Sequence, residues 1–264
     1  STFHQIATLV LAVLLIASCK SSPEKDDENR DMSKLPLSEL QQKVDEYVKV
    51  RLNADISHLS GNQKEMLSYL IDVSRLMDDI FWKQAFGEKD KLLDKISSEP
   101  LEKFVQINYG PWDRLNNNKP FVEGYGQKPA GANFYPADMN KKEFQALQSE
   151  DKESLYTLIR KDGQGKLKTI PYHEAYSQKT QKAAELIRKA AELAENESFK
   201  KYLKLRAEAL LSDDYLASDM AWMDVKNNDI DFVVGPIETY EDGLFGYKAA
   251  HEAFVLIKDR QWSK

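Results

Sequence analysis

The sequence is poor in the residues that the simplest functional assignments require. Its one cysteine, Cys19, rules out an intrachain disulfide framework. Its four histidines, His4, His58, His173 and His251, include no pair at the i, i+4 spacing that sets two imidazoles on one helical face. His173-Glu174 and His251-Glu252 begin like a metallopeptidase helix, but Ser177 and Val255 stand where the second histidine belongs. Both are false starts. Lys and Arg number 37 against 43 Asp and Glu, a net charge of −6. Phosphate binding needs a concentrated basic face and no basic run is visible, which argues against a nucleic-acid partner. The one long apolar stretch, Ile6 to Ser18, is too short for a comfortable membrane span.

That stretch has the length of a signal-peptide core, and Leu15-Ile-Ala-Ser-Cys19 resembles a bacterial lipobox, whose cysteine becomes the lipidated first residue. Lys20 to Lys34 is charged and Ser-rich, the composition of a flexible tether. Within it Glu24-Lys-Asp-Asp-Glu28 resembles a short signal that sends some bacterial lipoproteins to the outer face of the outer membrane. The expected organisation is a signal peptide over 1–18, a tether over 19–36 and one globular unit over 37–264. The expected location is the bacterial cell envelope, lipid-anchored at Cys19 in the outer membrane, with the charged signal pointing to the cell surface.

With 42% hydrophobic and 30% charged residues, the remainder has the make-up of a globular protein with a sizeable core. From Leu37 to about Ile56 apolar residues recur at Leu40, Val44, Tyr47, Val48 and Leu52, a helical spacing. Ser60-Gly-Asn-Gln63 reads as a capping box opening a long helix to Gly87, apolar on more than one stripe and therefore buried on two sides. Shorter helices follow over Lys89–Ser98 and from Leu101. Asn108 to Met139 is rich in glycine, proline and aromatics and lacks helical period. So long a loop is either functional or pinned by its own side chains, and Trp112 and Arg114 serve either reading, as a ligand wall or as pins.

Leu155 to Tyr172 reads as a β-hairpin turning at Asp162-Gly-Gln-Gly165. Helices return over Tyr176–Ala194, Phe199–Leu211 and Asp214–Val225, with Asn196 and Ser212-Asp213 as caps. Two apolar runs, Phe232–Ile237 and Ala253–Ile257, read as buried strands. The fold class is α+β, mostly helical, with a hairpin near 155–172 and late strands near 231–258. Glu238, Tyr240 and Asp242 alternate where the first late strand ends; in an extended segment all three share one face. Carboxylates there could receive an ammonium and the phenol could donate to an oxyanion, or the row could be a charged strand edge.

The pattern Glu238-x-Tyr-x-Asp242, followed by Gly246-Tyr-Lys-Ala-x-x-Glu-Ala-Phe-Val255, resembles a segment of the dipeptidyl peptidase III family of zinc metallopeptidases. Asn108-Tyr-Gly-Pro-Trp-Asp-Arg-Leu115 and Gly131-Ala-Asn-Phe-Tyr-Pro-Ala-Asp-Met139 resemble its bacterial branch, which plants also carry fused to a nucleotide-hydrolase domain. The resemblance runs from about Leu37 to the end and implies the β-containing lobe of a two-lobed peptidase. The family's His-Glu-x-x-Gly-His helix and later zinc-binding Glu are not in this sequence. It therefore implies zinc in a full-length protein and none bound by this segment, which would be inactive alone and would end before the helical zinc lobe.

The implied activity is release of dipeptides from short peptides with a free N-terminus. By the same resemblance Glu238 holds the substrate α-amine, and Tyr240 hydrogen-bonds the peptide and stabilises the transition state as a catalytic residue. Asp242 receives no catalytic role. Glu241 stands where some relatives carry Arg, and His251 where an aromatic residue is expected. The alternative reading is a membrane-anchored, non-catalytic peptide-binding lipoprotein.

Overall fold

The computed structural model describes residues 31–259 and Trp262. The apolar stretch Ile6–Ser18, the lipidation candidate Cys19 and most of the tether lie outside the described residues. The packed chain already includes Met32, in a short 3₁₀ turn over Met32–Lys34, where it is buried against a small second core.

α1 (Leu37–Asp45) buries Leu40 and Val44. It stops well short of the Ile56 expected from periodicity. Leu52 is 92% exposed, and Val48 and Val50 are nearly as open. With no surface to cover, the apolar spacing has nothing to reward it, and two β-branched residues weaken the helix further.

α2 (Gly61–Ala85) is the spine of the molecule. Its capping box forms as expected: Gln63 N–H donates to Ser60 Oγ and Ser60 N–H donates to Gln63 Oε1. Replacing Ser60 with Ala is expected to lower stability by about 1 kcal/mol, read as a shift in the denaturant midpoint with an unchanged slope. Leu70, Val73, Met77 and Ile80 enter the main core while Trp82 enters the smaller one, so the helix is buried on two sides. α3 (Lys89–Leu93) and α4 (Glu99–Asn108) surround the small core, where α4 packs against α1.

The segment from Asn108 to Met139 is not helical. It holds only a two-residue strand pair, β1 (Trp112–Asp113) with β2 (Lys119–Pro120). Most of it is pinned to neighbouring elements. Trp112 Nε1 donates to Gly126 O at 2.8 Å, Asn133 N–H to Gln84 O at 2.8 Å, and Asn133 Nδ2 to Lys83 O at 2.7 Å. Phe134 O accepts from Ile159 N–H at 2.9 Å, which ties the loop to the following hairpin. A short α5 (Lys141–Ala146), capped by Asn140, leads to that hairpin.

β3 (Thr157–Lys161) and β4 (Leu167–Pro171) pair antiparallel, as the sequence predicts, about a turn in which Gly165 has φ +78°. A single-turn α6 (Tyr172–Ala175) follows, then α7 (Ser177–Leu193), α8 (Glu197–Ser212) and α9 (Leu216–Met223). Asn196 caps α8 by accepting from Phe199 N–H. α7 packs against both α2 and α8.

The last two strands, β5 (Ile230–Glu238) and β6 (Ala250–Ile257), pair antiparallel and lay one face on α2. Ile230, Phe232 and Val234 on that face are essentially buried, opposite Ile257, Val255 and Ala253. Gly235, at φ +123°, lets β5 pass the Tyr215 ring, which a Cβ there would meet at 3.2 Å. The architecture is α+β, as expected: helices around one spine, with three separate two-stranded antiparallel sheets among the described residues. None of the described helices is long and apolar enough to cross a membrane.

Candidate functional site

The turn between β5 and β6 decides where the candidate residues stand. Extended backbone ends at Glu238; Asp242 N–H donates to Thr239 O at 3.0 Å, which closes a turn over Tyr240 and Glu241. The alternation expected through Asp242 therefore breaks. Glu238 and Tyr240 remain exposed, whereas Glu241 and Asp242 turn inward and are buried. Asp242 is a structural hub and not a third member of the polar row. Its Oδ1 accepts from Leu244 and Phe245 N–H, and its Oδ2 from Tyr247 and Lys248 N–H and from Tyr135 Oη at 2.6 Å.

Glu241 closes the other side of the turn. Its carboxylate, buried beside the long loop, takes both guanidinium nitrogens of Arg114 at 2.7 and 3.1 Å and Lys128 Nζ at 2.6 Å. Burial pulls the Lys128 ammonium below its ordinary range, with Glu241 opposing. Arg114 is also fixed through Nε to Asn108 O at 2.7 Å and lies over the Phe81 ring. Breaking a buried pair of this kind strands a charge, so the cluster locks loop 108–139 to the turn that presents Tyr240.

Tyr240 stands in the wall of an open cleft of about 390 Å³, together with Asp78, Tyr109, Arg114, Glu252 and Phe254. Its phenol donates to Glu252 Oε1 at 3.0 Å. Partial burial, with Glu252 adding to it, pushes the phenol pKa up to about 12. Glu252 is itself raised, chiefly by burial; the Tyr240 hydrogen bond opposes the rise and the charge of Glu238 adds to it. Across the cleft Tyr109, in the left-handed conformation that ends α4, donates to Asp78 Oδ1; burial and that carboxylate raise its phenol well above the usual range. The wall carries two carboxylates, one guanidinium and two phenols, groups suited to a ligand with an ammonium and backbone carbonyls.

The long loop contributes in two ways. Trp112 is a buried pin, while Arg114 lines the cleft. Spacing gave no signal for Asp78, Tyr109 or Glu252 as site residues, because they come from three separate elements. Glu252 was within reach of a pattern argument: strand alternation places it on one face with Phe254 and Leu256.

Two of the described histidines have structural partners. His251 is buried on the inner face of β6, between the rings of Tyr172 and Tyr176. Its Nδ1 pairs with Gln84 Nε2 at 3.0 Å, and its backbone N–H donates to Gln84 Oε1. His173 pairs through Nδ1 and its backbone N–H with Asp213, at the left-handed C-cap of α8. Among the described residues no group of three or more His, Cys, Asp or Glu could hold a metal ion.

The α+β fold that carries this cleft is shared with known proteins. No protein-family model matches the sequence. The structure is similar to that of DPP III from Caldithrix abyssi, at 41% identity and TM-score 0.80, over 84% of this chain and 44% of that one. It is similar also to dipeptidyl-peptidase III from Corallococcus sp. strain EGB, at 35% identity and TM-score 0.81, over 87% of this chain and 45% of that one. A curated relative, Nudix hydrolase 3 of Arabidopsis thaliana, is 32% identical over 282 residues, 83% of this chain and 36% of that protein. The chain is related to dipeptidyl peptidase III in sequence and in fold over most of its length, and spans less than half the length of these relatives.

Proposed function

We propose that the chain is the N-terminal, substrate-binding lobe of a zinc-dependent exopeptidase that releases dipeptides from peptide N-termini, and that it is inactive alone. The observation that supports this most is Tyr240 in the wall of the cleft, two residues after Glu238 at the exposed end of β5, in a fold similar at 41% identity to a dipeptidyl peptidase III. Glu238, exposed at the end of β5, takes the free α-ammonium by a charge-assisted contact, which ties recognition to the peptide terminus. Tyr240 donates to a peptide oxygen, and that bond strengthens as negative charge develops there. Zinc, in this proposal, belongs to a further lobe of a longer protein. The lipobox-like segment ending at Cys19 leads us to place the protein in the bacterial cell envelope, lipid-anchored in the outer membrane.

The test is calorimetric titration of the chain with a tetrapeptide bearing a free or an acetylated N-terminus. The free peptide is expected to bind at least tenfold more tightly, and Glu238→Ala to remove that preference without moving the melting temperature, because the side chain is exposed. Equal loss of both peptides in the variant would refute the assignment.

A further inference from the structure

Tyr240 has one proton to donate, and in the folded chain Glu252 holds it at 3.0 Å. A phenol committed to a carboxylate is not available to a peptide oxygen. The geometry of the β5–β6 pair sets a second carboxylate on the same face as this acceptor. From Ile230↔Ile257 to Pro236↔His251 the register is regular; beyond it Glu238, not Ile237, faces Ala250. This β-bulge inserts one residue. Under the regular register Glu238 would follow Pro236 onto the inner face with His251. With the bulge it stands opposite Ala250, on the outer face that also carries Glu252 two residues along β6. The two glutamates are a diagonal cross-strand pair, a relation that sets backbones about 7–8 Å apart, and the charge of Glu238 reaches Glu252.

We infer that Glu252 is a second carboxylate for the ligand ammonium and a positioning residue for Tyr240: an ammonium bridging Glu238 and Glu252 takes over Glu252 and frees the Tyr240 hydroxyl to donate to the peptide. This rests on the reading of the site as one for peptide N-termini. An ammonium carries three donors in a compact head, so it can serve both carboxylates at once. No proton is transferred: Tyr240 keeps its hydrogen and exchanges one acceptor for another. Burial does most to raise the Glu252 carboxyl, the Tyr240 hydrogen bond opposes it, and the charge of Glu238 adds a smaller push upward that a cation between the two would relieve. Availability of the phenol thus becomes conditional on a correctly placed N-terminus.

The experiment combines the peptide pair with a chain carrying ¹³C-labelled tyrosine rings, the Tyr240 signal being identified by its loss in Tyr240→Phe. In the wild type the free-N-terminus peptide should shift the Tyr240 signal and the acetylated peptide should not. Glu252→Ala removes the acceptor, so its Tyr240 signal should sit near the released position before any peptide is added. Glu252→Gln keeps an acceptor without charge. Both variants should bind the free peptide about tenfold more weakly, with little change for the acetylated one. Glu252 lies on the open face of the sheet, so neither variant should unfold the chain. If the wild type discriminates between the peptides while both variants bind and shift like wild type, the role of Glu252 is overturned and the N-terminus site stands. If the wild type does not discriminate, the site reading fails and the inference falls with it.

Discussion

Replacing Asp242 with Ala is expected to destabilise the chain by about 3–5 kcal/mol, a drop of roughly 10 °C in melting temperature. One buried carboxylate accepts from four backbone N–H groups, of Leu244, Phe245, Tyr247 and Lys248, and from the Tyr135 phenol. Removing it leaves five donors short of an acceptor, and those in the interior have no water to replace it. Asp242→Asn should cost nearly as much, because its amide presents a donor where donors already converge. Tyr135→Phe loses one bond only and should cost about 1 kcal/mol. The loss should extend to peptide binding, since Tyr240 is presented by the turn that Asp242 anchors. Thermal melts of the three variants check the ranking, and a harmless Asp242→Asn would show that the hub does not hold the loop.

The second large effect is a pH dependence from His251. Burial between Tyr172 and Tyr176 pulls its pKa to about 3, from an ordinary 6.5. The folded state therefore keeps His251 neutral while the unfolded chain takes up a proton below pH 6.5. Its contribution to stability is complete above that value and is lost as the pH falls from 6.5 toward 3. Between pH 7 and pH 4 the loss amounts to about 3 kcal/mol. His251→Phe keeps an aromatic ring in the pocket and cannot titrate. It carries a fixed cost for the partner taken from Gln84 Nε2, but wild type should lose about 3 kcal/mol more than this variant over that interval. Urea unfolding at both pH values measures the difference; parallel losses would mean that water or a counter-charge reaches the ring.

The site was legible where it depends on local pattern. The capping box at Ser60–Gln63, the hairpin about Gly165 and the two late strands follow from backbone requirements acting over a few residues. The placement of Glu238 and Tyr240 at the end of a buried strand was readable for the same reason. The fate of Glu241 and Asp242 was not. Alternation is a property of extended chain, and whether the chain stays extended past Glu238 depends on Arg114, Lys128 and Tyr135, more than 100 residues earlier. The apolar spacing of residues 46–56 misled in the opposite direction, because periodicity reports what a helix could bury and not whether a partner surface exists.

The sequence by itself determined the α+β class, the long non-helical loop, the absence of paired histidines and the polar residues that follow β5. These rest on composition and on interactions between near neighbours. The tertiary structure alone decided which of those polar residues face the cleft. A single inserted residue at the β5 bulge moves Glu238 onto the face of Glu252, and packing against α2 buries His251 on the other. Register and burial are set by contacts distant in sequence, and a one-residue slip inverts every side chain beyond it.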